Sequence, residues 1–90
     1  MSEIRQNAAR HRFELDVDGG QAFAFYRLAD GVMTFTHTEV PAALRGRGLG
    51  SEMMGAVLAN VRAQKLKVVP ACPFVADYIG RHQEFQDLLA

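Results

Sequence analysis

One cysteine in ninety residues excludes an intramolecular disulfide and any metal site built from several thiolates, and it suits a reducing compartment. An excess of charge of one sign is also lacking, because ten Lys and Arg offset ten Asp and Glu. A protein that lives on duplex DNA or an anionic membrane carries a basic excess, so neither nucleic acid nor membrane is expected as a partner. No apolar run approaches the roughly 18 residues that a membrane helix requires. The opening MSEIRQNAARHRFELDV is charged and has no apolar stretch of the kind a secretory signal needs, so the expected location is the cytoplasm. Repeats, low-complexity segments and linkers are missing too. Residues 1–90 leave room for one domain with one core.

What is present is a change of hydrophobic period along the chain. HRFELDV alternates, with Phe13, Leu15 and Val17 on one face and Arg12, Glu14 and Asp16 on the other, which is a half-buried strand. Asp18-Gly19-Gly20 offers a hairpin turn. QAFAFYRLA has aromatic residues on both faces, as a central strand does, and Ala29-Asp30-Gly31 turns the chain again. VMTFTHTEV is the third strand. A period of two places Met33, Phe35, His37 and Glu39 on one face and Val32, Thr34, Thr36, Thr38 and Val40 on the other. Pro41 ends it. Leu49, Met53, Val57 and Val61 then recur every four residues, predicting a helix over about Gly48 to Gln64. Leu66 to Cys72 reads as a fourth strand, in which Pro70 removes a ladder donor. Pro73 suits the first position of a second helix, whose apolar face carries Phe74, Val75, Tyr78, Ile79 and His82. The order is βββ-α-β-α, an α+β fold with three antiparallel strands, a helix, a parallel strand and a helix. Its crossover should be right-handed.

The densest signal lies where the third strand meets the first helix. Arg45-Gly46-Arg47-Gly48-Leu49-Gly50 sets two arginines and three glycines into six residues. A helix start exposes unpaired N–H groups and a partial positive charge, and it attracts anions. Glycine lets a phosphate approach those groups, and arginine grips its oxygens. The loop is not of the G-K-[ST] or G-x-G-x-x-G kind. Its plain alternative is a strand-to-helix turn with two solvated arginines. An RGG-like RNA-binding reading fits less well, because such segments are repetitive and disordered.

The same six residues resemble the R/Q-x-x-G-x-G/A signature of the GNAT superfamily of acetyl-CoA-dependent N-acetyltransferases. Glu39-Val40-Pro41 before them, a helix after them and CPFVADYIGRH further on extend the resemblance over about His11 to Phe85, to the small single-domain GNAT-like branch. The resemblance implies that backbone N–H groups of Arg45, Gly46, Arg47, Gly48, Leu49, Gly50 and Ser51 hold the pyrophosphate of coenzyme A. It also implies that Val40 bonds the pantetheine arm in a splay between the two parallel strands, opened in part by Pro70. Longer members of the family have a further N-terminal strand, helices that shape the acceptor pocket, and C-terminal strands, for which this chain lacks room.

Parallel strands bring their C-terminal ends to one edge, where α/β ligands bind. Glu39 ends one and Cys72 the other, with His37 about 7 Å behind Glu39. Cys72 precedes a helix, where a thiol is activated. It is a candidate to take or position the acetyl group, or it is a small buried hydrophobe. Glu39 is a candidate general base, with an edge carboxylate or a salt bridge to Arg45 as its alternative. His37 is the second candidate base, or a satisfied polar residue of the sheet face. Tyr78 occupies a helix position resembling that of the tyrosine which, in many GNAT enzymes, protonates the leaving thiolate; it is equally placed to be core. His11 and His82 show no ligand spacing, so no metal is expected. The expected function is transfer of an acetyl group from acetyl-CoA to a primary amine, with an N–H near Val40 stabilising the oxyanion. The acceptor is a small-molecule or peptide amine, and the chain a monomer or weak homodimer. A coenzyme A-binding module with little or no transferase activity, and a domain that binds another phosphorylated ligand, are the alternatives.

Overall fold

Alternating apolar residues build the middle of the sheet. The computed structural model describes residues 4–17, 20–42 and 48–90. The strands are β1 (Ile4–Asn7), β2 (Arg12–Val17), β3 (Gly20–Ala29), β4 (Val32–Glu39) and β5 (Lys67–Pro70), and the helices are α1 (Leu49–Ala63) and α2 (Pro73–Arg81). A 3₁₀ turn, Ala8–Arg10, follows β1, and another, Gln83–Leu88, follows α2. The sheet runs β1-β2-β3-β4-β5, antiparallel except for the parallel pair β4·β5. This is the expected βββ-α-β-α order with one strand added at the N-terminus.

The added strand has little apolar signal, with Ile4 its one apolar residue. It is held by polar side chains that reach across β2 and beyond. Arg5 forms an ion pair with Asp16 at 2.6 Å, Asn7 donates to Glu14 at 3.1 Å, and Gln6 donates to the hydroxyl of Tyr26 at 2.9 Å. Glu14, expected on a solvated face, is buried beneath Arg5, Asn7 and Arg12. The hydrogen bonds from Arg12 and Asn7 hold its carboxyl below the usual 4.5.

Of the hairpin turn at Asp18-Gly19-Gly20, the first two residues lie outside the described ones. Asp30 and Gly31 close the β3–β4 hairpin, both with positive φ (52° and 77°). That is the two-residue turn whose twist matches the strands it joins.

One face of the sheet carries Phe13, Leu15, Ala22, Ala24, Tyr26, Met33, Phe35 and Val68, and both helices close over it. Helix α1 contributes Met53, Met54, Val57, Leu58 and Val61, the apolar stripe read from its spacing. It stops in a Schellman arrangement: Lys65 has φ 61°, its N–H donates to the Arg62 carbonyl, and the Leu66 N–H donates to that of Val61. Helix α2 adds Val75, Tyr78 and Ile79. The opposite face is uncovered by any described helix. It presents half-buried Phe23 and Phe25, with Arg12 lying 4.1 Å over the Phe23 ring.

β4 departs from a period of two. Phe25 pairs with His37 and Tyr26 with Phe35, so Thr36 has no partner on β3 and forms a β-bulge. Beyond the bulge the faces exchange. Met33 and Phe35 are fully buried, whereas His37 and Glu39 are exposed on the open face. Thr38, paired with Ala24, turns to the helices instead. The expected grouping of His37 and Glu39 with Met33 and Phe35 is therefore corrected by this single extra residue.

Candidate active site

The parallel pair β4·β5 ends early. Its last register is Phe35↔Pro70, and β4 continues for four residues without a partner on β5. Pro70 has no N–H to donate. The Cys72 N–H bonds the Phe35 carbonyl at 2.9 Å, and α2 begins at the next residue. The two strands thus part, leaving a wedge of about 470 Å³ lined by Thr38, Val40, Gly48, Leu49, Gly50, Ser51 and Phe74.

The mouth of the wedge is the start of α1. Gly48, with φ 76°, is the N-cap and supplies no side-chain bond to the first turn. Its carbonyl takes the first helical hydrogen bond from Glu52, so the N–H groups of Leu49, Gly50 and Ser51 belong to the unsatisfied set at a helix N-terminus. A Cβ at Gly48 would meet nothing within 4 Å. A Cβ at Gly50 would stand 3.0 Å from the Phe74 ring, so glycine here lets α2 and α1 approach as the two walls of the wedge. Phe74, read from sequence as core, is in fact 37% exposed on that wall. Thr38 also lines the wedge, and period alone marked it only as a sheet residue. Arg45, Gly46 and Arg47 lie outside the described residues.

The reactive side chains fall into three places. Cys72 is buried behind the wedge wall, its Sγ 3.8 Å from Thr38 Oγ1. His37 Nε2 and Glu39 Oε2 are 3.2 Å apart, on the open face. Neighbouring residues of a strand point to opposite faces, so Thr38 beside Cys72 places His37 and Glu39 on the far side of β4. The expected convergence of Cys72, His37 and Glu39 is corrected accordingly. Tyr78 is buried in α2, stacked on His82 with ring centroids 3.8 Å apart. Its hydroxyl faces α1 at Gly55, one turn beyond Ser51. Burial, with a smaller contribution from Glu84, pushes the phenol above its usual 10.0.

A strand pair that parts beside a helix start whose N-cap glycine gives no side-chain bond can seat a long anionic ligand between backbone edges. The family of GCN5-related N-acetyltransferases matches residues 12–88, most of the chain. The chain belongs to that family. The GNAT fold is shown as well by a solution NMR structure of a GCN5-like candidate N-acetyltransferase from Staphylococcus aureus. That protein is 27% identical, and the match spans 98% of this chain and 87% of that one at a TM-score of 0.73. No described helix is long and apolar enough to cross a membrane.

Proposed function

We propose that this GNAT domain transfers the acetyl group of acetyl-CoA to a primary amine. The observation that carries the reading is the wedge between β4 and β5, which opens onto the glycine N-cap at the start of α1. The N–H groups of Leu49, Gly50 and Ser51 would take the pyrophosphate, with Arg45, Gly46 and Arg47 completing the loop as the signature implies. Thr38 and Val40 would border the pantetheine arm, which lies between the strands where a further strand would otherwise pair.

The amine nitrogen attacks the thioester carbonyl, giving a tetrahedral oxyanion, and collapse breaks the C–S bond to release the thiolate. Glu39, beside His37 at the end of β4, is the base that takes the ammonium proton, directly or through water. Tyr78, whose hydroxyl faces α1 at Gly55, is the acid for the thiolate. Cys72, enclosed behind Thr38 and outside the lining of the wedge, is a packing residue. A lone free thiol suits a cytoplasmic setting.

The uncovered face favours one second reading, a coenzyme A-binding module without turnover, since no described element walls in an acceptor. Calorimetry and a coupled assay separate the possibilities. Acetyl-CoA is expected to bind more tightly than 3′,5′-ADP, which lacks the arm; equal affinities would remove the wedge from the reading. Tight binding with no product across a panel of amines would leave the binding module standing.

A further inference from the structure

A second cavity, of about 460 Å³, lies at the other end of the open-face track from Glu39. It forms where two backbone irregularities meet. The 3₁₀ turn before β2 ends at His11, whose φ of 54° is left-handed and whose carbonyl accepts the Tyr26 N–H. The Thr36 bulge on β4 stands across from it. Arg10, His11, Phe25, Arg27, Leu28 and Thr36 line the space, and none of its described lining residues is acidic.

Its cations are unclaimed. The other arginines of this region are committed, Arg5 to Asp16 and Glu14, and Arg12 to Glu14. Arg10 and Arg27 form no ion pair among the described residues. In a chain of zero net charge, two unpaired guanidinium groups around a pocket with a hydroxyl are a complement to a carboxylate. The track between this pocket and the proposed base is aromatic: Phe25 lines the pocket and stacks on His37 with ring centroids 5.9 Å apart. Glu39 is three residues from Thr36, about 10 Å along a strand.

We infer that this pocket holds the far end of the acceptor, and that the acceptor is an amine with a carboxylate about 10 Å from its nitrogen. The amine lies at Glu39 and His37, the apolar middle crosses Phe25, and the carboxylate meets Arg10, Arg27 and Thr36. The inference rests on the transferase reading for the amine end alone; the carboxylate pocket stands on its own geometry.

Two measurements on the whole protein test it. Initial rates with acetyl-CoA are compared for 8-aminooctanoate, octylamine and 1,8-diaminooctane, which end in a carboxylate, a methyl group and an ammonium. The carboxylate compound should lead in kcat/KM by about tenfold or more, the effect of a charged hydrogen bond. Arg10→Gln and Arg27→Gln should each shrink that ratio. Octylamine turned over as fast as 8-aminooctanoate would overturn the inference. Separately, octanoate added to the protein without acetyl-CoA should shift the amide resonances of Phe25, Arg27 and Thr36, and Arg27→Gln should weaken those shifts. Such shifts support the pocket even where no amine is acetylated, a result that would count against the transferase reading instead. No shift at these residues would overturn the pocket.

Discussion

Replacing Gly55 by alanine adds one methyl group where α1 faces Tyr78. A Cβ built at Gly55 would stand 2.8 Å from Tyr78 Oη and 3.9 Å from its Cζ, so the phenol must move. A loosely held tyrosine would do so at little cost, but Tyr78 is 8% exposed and confined by the stacked His82 ring and by Phe85. Overpacking a filled site costs about 1–3 kcal/mol. Exchanging Gly for Ala inside a helix returns up to about 1 kcal/mol. The net is a loss of about 0–3 kcal/mol, read as a lower urea midpoint or as a drop of about 4–8 °C in Tm for each kcal/mol. Tyr78→Phe removes the colliding oxygen and leaves Cζ at an ordinary contact distance. In that background Gly55→Ala should stabilise by up to about 1 kcal/mol, so the two substitutions couple strongly. Equal stabilisation by Gly55→Ala in both backgrounds would refute the contact, and with it the placement of the Tyr78 hydroxyl against α1.

Gly48→Val should fold with a loss of about 1–2 kcal/mol, because a left-handed φ of 76° strains a branched residue although the space around it is open; calorimetry should show acetyl-CoA affinity reduced, and unchanged affinity would remove the α1 start from the donor site. The Glu14 carboxyl is held below its usual 4.5 by Arg12 and Asn7, so the stability it contributes is present above about pH 4.5 and is lost as pH falls through its lower folded value. Glu14→Gln should therefore flatten the acid limb of the urea midpoint against pH, though Asp16 and Asp87, also lowered, leave part of the slope. Cys72, 5% exposed behind Thr38, should alkylate slowly, and Cys72→Ala should keep turnover. Mass spectrometry finding an acetyl group on Cys72 after incubation with acetyl-CoA would contradict this.

The central strands and both helices were legible because burial on one side leaves a clean period. Phe13 and Leu15 alternate, and Met53, Val57 and Val61 recur by turns, so each element announces its own buried face. β1 was not legible, since its stability resides in Arg5, Gln6 and Asn7, whose partners Asp16, Tyr26 and Glu14 are distant in sequence. Polar cross-strand pairing has no period to read. The wedge was legible in two local signals, the glycine-rich helix start and Pro70. Phe74 was not, because a ring at the first turn of an amphipathic helix looks like core until Gly50 is seen opposite it.

The largest departure from the sequence reading turns on one residue. Thr36 resembles Thr34 and Thr38, and nothing in its composition marks a bulge; only the pairing of Phe25 with His37 and Tyr26 with Phe35 reveals it. A strictly alternating β4 would carry Glu39 on the side of Phe35, next to Cys72, and would set a carboxylate within the wedge. There it would repel the proposed anionic donor and lose solvation without a described cation to offset it. The bulge sends Thr38 and Val40 into the wedge and places Glu39 with His37 on the open face, where water and an amine can reach them. The same inserted residue supplies the hydroxyl on the wall of the arginine-lined pocket. One bulge therefore sorts β4 into a neutral edge on the side of the wedge and a polar track on the open face, the division that the proposed donor and acceptor sites require and that neither period nor propensity encodes.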